Sequence, residues 1–92
     1  MVNRIEITLI GKPGCHLCDD ARTELTRVIQ AFEAGHNGVE VAITEKNILE
    51  DEKLALLHSE EIPVVLINGK MHSYWHVDAP RLTSALSKAA GV

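Results

Sequence analysis

The hydrophobic period of this chain changes over residues 11–18, the stretch that holds both of its cysteines. Ile5, Ile7 and Leu9 alternate with Glu6 and Thr8. That period of two predicts a strand over residues 4–10. Gly11, Pro13 and Gly14 interrupt it. From Cys15 onward Leu17, Ala21, Leu25, Val28, Ile29 and Phe32 fall on one helical face, with Asp19, Asp20, Arg22, Thr23, Glu24 and Arg27 mostly on the other. The stretch from Gly35 to Gly38 ends that helix. A strand running straight into a helix predicts a right-handed crossover to a parallel second strand.

The rest of the chain supplies the partners. Val39 to Ile43 reads as a short second strand, and Asp51 to His58 as a short helix carrying Leu54 and Leu57. Ile62 to Ile67 is a third strand, with Pro63 near its start, where a missing N–H harms the ladder little. Asn68-Gly69 is a hairpin turn, so Lys70 to Val77 returns antiparallel as a fourth strand. Asp78 caps a last helix with Pro80 in its first turn and Leu82, Ala85, Leu86 and Ala89 as its apolar stripe. The order β-α-β-α-β-β-α predicts an α/β fold, with a four-stranded mixed sheet flanked by helices. The 92 residues have room for one core, so residues 1–92 are read as a single domain. Phe32, Tyr74 and Trp75 are the only aromatic residues of those types, so that core must be mostly aliphatic.

Charge and composition narrow the function. A net charge of −4 argues against nucleic acid or an anionic membrane surface as partner. No run approaches the ~20 apolar residues that a membrane span needs. The opening MVNRIEITLIGK alternates polar and apolar residues, unlike a secretory leader, so the expected location is cytoplasmic. In that compartment a Cys-x-x-Cys pair is more often redox-active or metal-binding than a permanent bridge.

The placement of Cys15 and Cys18 favours redox chemistry. A helix N-terminus carries unpaired N–H groups and roughly half a positive charge. A thiolate there is stabilised, and its pKa falls from ~8.5 into a range of roughly 3.5–7.5. Cys15, at the tip, gains most. Cys18 lies one turn on, close enough to bridge, with a more buried sulfur. That asymmetry suits an attacking cysteine followed by a resolving one. Lys12 and His16 can add positive charge near Cys15, while Asp19 and Asp20 are expected to face solvent.

Other uses of the pair fit less well. A staple closing so short a ring would contribute about 2 kcal/mol or less. A zinc site needs four ligands and the pair supplies two. His72 and His76 would stand ~13 Å apart along a strand, too far to share one ion. An iron–sulfur cluster ligated at Cys15 and shared between two chains stays open, as does an interaction domain whose thiols do little.

The spacing Lys12-x-x-Cys15-x-x-Cys18 at a helix start, with Ile62-Pro63-Val64-Val65 before Asn68-Gly69, resembles the glutaredoxins of the thioredoxin superfamily. The runs KPGCHLCDDA and IPVVLING are similar to those of small glutaredoxin-like proteins, and the likeness covers nearly the whole chain. The resemblance implies a thioredoxin-like fold with a cis Ile62–Pro63 bond lying against the cysteines. It implies a thiol–disulfide oxidoreductase in which Cys15 attacks and Cys18 resolves. Lys12 and His16 would tune the site, and Pro63 and the Ile62 backbone would position an extended substrate. No metal or organic cofactor is implied. The partners would be a disulfide-containing protein or small-molecule disulfide, with glutathione or a reductase as electron donor, and the expected state is a monomer.

Three departures from the pattern stand out. His16-Leu17 replaces the aromatic-containing pair inside typical glutaredoxin motifs. MHSYWHVDAP lacks the Gly-Gly that grips glutathione, leaving Asp78 to stand in for one acidic contact. Leu9 occupies the position of the buried carboxylate of thioredoxins. Trp75 is expected to pack on the last helix; the alternative is a partner patch with Tyr74 beside the cysteines.

Overall fold

The structure is a computed structural model that describes residues 3–91. Its elements are β1 (Asn3–Gly11), α1 (His16–Gly35), β2 (Val39–Asn47), α2 (Glu52–His58), β3 (Val64–Ile67), β4 (Lys70–Tyr74) and α3 (Ala79–Ala90). A short 3-10 turn, Ile48–Glu50, leads into α2. The strands form one mixed sheet in the order β2-β1-β3-β4. β1 runs parallel to β2 and antiparallel to β3, and β3 runs antiparallel to β4.

The alternation in β1 sorts its side chains between two apolar clusters. Ile5, Ile7 and Leu9 meet Leu25, Val28, Ile29 and Phe32 of α1 and Leu82 and Leu86 of α3. Ile10 points the other way, to Ile48 and Val64, with Leu54, Ala55 and Ile62 packed alongside. α1 and α3 therefore share one sheet face, and α2 covers the other. That second cover reaches only the end of β1 next to the cysteines: Glu6 is exposed and Thr8 half-buried on the same side.

Register carries the architecture to the site. β1 pairs with β2 through Gly11 and Asn47. Ile10 pairs with Val64, and Val64 with Tyr74. One step further, Pro63 lies level with Gly11, and the Trp75 N–H donates to the Pro63 carbonyl at 2.8 Å. Asn47, Gly11, Pro63 and Trp75 thus form a row across one end of the sheet. α1 begins at this same end.

Several element limits differ from the sequence reading. β2 continues to Asn47 rather than stopping at Ile43. It is an edge strand held by its ladder with β1, so polar residues 44–47 extend it without needing burial. β4 stops at Tyr74, because Trp75 turns the chain with φ at +68°. β3 begins only at Val64, after the proline. Leu17 is 39% exposed and Cys18 takes its place on the buried face of α1. In α2 the inward residues are Leu54 and Ala55, while Leu57 faces solvent. In α3 Ala90, not Ala89, closes the buried stripe.

Two local signals act as read. Asn68 and Gly69 both take positive φ, 51° and 82°, the geometry a two-residue hairpin turn requires. The Asp78 carboxylate accepts the Arg81 N–H at 3.0 Å and caps α3, whose first turn holds Pro80. Asp78→Ala removes that cap. The expected loss is about 1 kcal/mol, read as a lower urea midpoint at unchanged slope.

Candidate functional site

Cys15 is the N-cap of α1. Its backbone is extended, with φ −95° and ψ 112°, and its sulfur accepts the Cys18 N–H at 3.1 Å. That bond occupies one of the donors a helix start leaves open. The same sulfur is joined to Cys18 in a disulfide with Cα atoms 5.2 Å apart, well inside the range that such bridges span. The two sulfurs have unequal access. Cys18 is 1% exposed, and Cys15 is half-buried at the helix tip. Pro13 and Gly14 make the turn that sets this tip, Gly14 with φ +75°.

Gly11 lies behind Cys18. A Cβ built on Gly11 would stand 2.8 Å from the Cys18 sulfur and 3.2 Å from its Cβ. The strand and the first turn of α1 therefore touch without an intervening side chain. Sequence reading treated Gly11 only as a breaker; a glycine ending a strand just before a Cys-x-x-Cys helix was the available signal.

A crevice of about 460 Å³ opens between the ends of β1 and β2 and the start of α1. Leu9 and Cys18 form part of its wall, and Lys12 and Lys46 stand at it. Arg22 crosses it, donating from Nε to Glu45 at 2.8 Å and from a terminal nitrogen to Asp19 at 2.8 Å. These bonds, Glu45 first and Asp19 second, raise the guanidinium pKa still further, so Arg22 stays charged. The link ties α1 to β2 beside the cysteines, and it was not legible in advance because it depends on the extra length of β2.

The remaining singled-out residues surround the pair unevenly. Lys12 and His16 are exposed, and neither side chain makes a hydrogen bond or ion pair among the described residues. Pro63 is fully buried and its bond to Ile62 is cis. The Ile62 side chain packs on the cluster of Ile10, Ile48 and Val64. No hydrogen bond among the described residues engages its N–H or C=O. Asp19 and Asp20 are exposed as expected, although Asp19 pairs with Arg22.

The aromatic pair departs from expectation. Trp75 stays 49% exposed, with its indole N–H donating to the Glu60 carbonyl at 3.0 Å. Tyr74 meets it edge to face, with centroids 5.0 Å apart. His72, on β4, is pushed toward the neutral form by burial and then by Arg81, against an opposing pull from Asp78. No three His, Cys, Asp or Glu side chains among the described residues group as a metal site. No helix among them is long and apolar enough to cross a membrane.

Comparison with known proteins agrees with this architecture. Residues 6–87 match the family described as Glutaredoxin-like domain (DUF836). The uncharacterized protein Rv0508 of Mycobacterium tuberculosis is 25% identical over 88 residues, which span 96% of this chain and 89% of its own. XcR50 from X. campestris, known from an X-ray structure, is 28% identical with a TM-score of 0.65, over 89% of this chain and 96% of its own. Chloroplastic thioredoxin z superposes with a TM-score of 0.67 over 98% of this chain and 81% of its own; at 16% identity that likeness speaks to the fold alone. A match running from the first strand into the last helix makes this chain a member of the glutaredoxin-like (DUF836) family, on a thioredoxin-like fold.

Proposed function

We propose that this chain is a cytoplasmic thiol–disulfide oxidoreductase working through Cys15 and Cys18. The observation that carries the reading is the unequal pair at one helix start. The Cys15 sulfur accepts a helix N–H and is partly accessible, while Cys18, bonded to it, is buried. A helix N-terminus favours the thiolate, and the thiolate is the nucleophile.

The cycle balances as follows. In the reduced chain the Cys15 thiolate attacks one sulfur of a substrate disulfide, and a mixed disulfide forms as the first substrate thiolate leaves. Cys18, once deprotonated, attacks the Cys15 sulfur, and the second substrate thiolate leaves. The substrate gains two electrons and two protons, and the chain holds a Cys15–Cys18 disulfide. A thiol reductant, glutathione or a dithiol reductase, returns it to the starting state.

In this reading Lys12 adds positive charge near Cys15, and the exposed His16 lies next to it in the motif. The open N–H and C=O of Ile62, fixed beside buried Pro63 at the same end of the sheet, suit an extended substrate that pairs as a short strand. No resident cofactor enters the cycle.

The test is the reduction potential, found by equilibrating the protein in glutathione buffers and trapping free thiols. A midpoint of roughly −200 to −270 mV is expected, the span of glutaredoxins and thioredoxin. A value near −120 mV would make the chain an oxidant rather than a reductant. A pair that forms no disulfide in any buffer would end the dithiol reading.

A further inference from the structure

A second groove lies on the Trp75 side of the cysteines. It has a volume of about 150 Å³, and Leu17, Ala21, Trp75 and Val77 supply its apolar walls. Two carboxylates, Asp20 and Glu24, stand at it together with His76. Glu24 is in close ion-pair contact with Arg27. Asp20 is exposed and makes no hydrogen bond or ion pair among the described residues.

The groove is continuous with the surface a substrate would use. Leu17 sits inside the Cys15–Cys18 motif. Trp75 closes the sheet-end row through its bond to the Pro63 carbonyl, one residue from the open backbone of Ile62. Trp75 also holds a backbone geometry that bulky residues avoid, with φ at +68°. Such conformations persist where surrounding contacts enforce them, and they cluster at ligand clamps. Here the enforcing contacts are the indole bond to Glu60 and the backbone bond to Pro63. Together they hold a half-exposed indole as a wall of the groove instead of burying it in the core.

Apolar walls, an indole and an unpaired carboxylate match one kind of side chain. Lysine and arginine lay an apolar stem along such walls and keep a charged head in water. The head is attracted both to an aromatic face and to a carboxylate. A glutamate or aspartate of the substrate would instead meet Asp20 with like charge.

We propose that this groove is a specificity subsite for a lysine or arginine within two positions of the reacting cysteine in a disulfide-bearing polypeptide. The inference rests on the oxidoreductase reading and names its substrate class. In an extended peptide, residues two apart share a face about 7 Å from each other, so a neighbouring side chain reaches beyond the cysteine pair. The attraction acts on the approach of Cys15 to the substrate, and the bonds made and broken are those already described.

The experiment compares two peptides of the same length. Each carries one disulfide, flanked by lysine in one peptide and by glutamate in the other. The reduced protein is mixed with each at moderate salt, and kcat/KM is taken as a ratio for each variant. That ratio cancels any change in the reactivity of Cys15 itself. The wild-type chain is expected to favour the lysine peptide about five- to tenfold. Asp20→Lys is expected to bring the ratio to one or below, and Asp20→Asn to an intermediate value. Glu40→Lys makes the same change in net charge on edge strand β2 and is expected to keep the wild-type ratio.

Equal rates for both peptides with wild-type protein would overturn the subsite and leave the oxidoreductase reading standing. So would a ratio that Glu40→Lys lowers as much as Asp20→Lys, which would assign the preference to overall charge. Failure to reduce either peptide would overturn the oxidoreductase reading and the subsite with it.

Discussion

Cys15→Ser is expected to abolish disulfide reduction, while Cys18→Ser stops the reaction halfway. A serine hydroxyl at the helix tip is not deprotonated near neutral pH, and the nucleophile is lost. The expected fall in kcat/KM is at least about a thousandfold, or about 4 kcal/mol of barrier. Cys18→Ser keeps the attacking thiolate and removes the group that releases the second half of the substrate. It should therefore accumulate a covalent adduct through Cys15, visible as a mass increase that a reductant reverses. The unequal access of the sulfurs predicts this order, because a buried Cys18 cannot meet a bulky disulfide first. An adduct on Cys15→Ser protein instead would reverse the assignment. Full turnover in Cys18→Ser would mean that an external thiol resolves the intermediate and that the second cysteine is dispensable.

The parts of this site legible in the sequence were those carried by local pattern. Alternation gave β1, a helical stripe gave α1, and Asn68-Gly69 gave the hairpin, because each depends only on residues near it. Cys15, Cys18 and Pro63 followed from a motif. The failures come from long-range pairing. Residues 44–47 are polar, and hydrophobic period reports burial, not hydrogen bonding, so the outer half of β2 was invisible. With it went the Arg22–Glu45 link. Helical spacing puts Leu17 on the apolar stripe, yet it is 39% exposed, while Cys18, expected as the more buried sulfur of the pair, is 1% exposed. Packing on the last helix is the ordinary expectation for an aromatic residue such as Trp75. Its position is set instead by Pro63 and Glu60, which neither period nor propensity brings next to it. The row across the sheet end exists only through the register of four strands.

Gly11→Ala tests the part of that row nearest the chemistry. Within a strand, alanine for glycine ordinarily adds stability, by roughly 0.5–1 kcal/mol. Here the new methyl would sit 2.8 Å from the Cys18 sulfur, closer than van der Waals contact allows. The sulfur belongs to a helix anchored further along by Ala21, Leu25 and Val28, so α1 cannot easily retreat as a body. Strain from overpacking of this kind is typically about 1–3 kcal/mol, enough to reverse the ordinary gain. The two redox states should not share it equally. In the reduced chain the Cys18 side chain can rotate away from Gly11. In the oxidised chain the bond to Cys15 holds it in place. The oxidised form is then destabilised more, the disulfide becomes easier to reduce, and the potential rises by ~30 mV for each 1.4 kcal/mol of difference. Urea titrations of both forms, with the midpoint in glutathione buffers, close a thermodynamic cycle in which the two measurements must agree. Equal losses in both forms with an unmoved potential would show that the methyl strains the packing of α1 without acting through the disulfide. A more stable oxidised form would mean that β1 and α1 separate enough to admit a side chain, and that the close approach at Gly11 does not hold the cysteine pair in place.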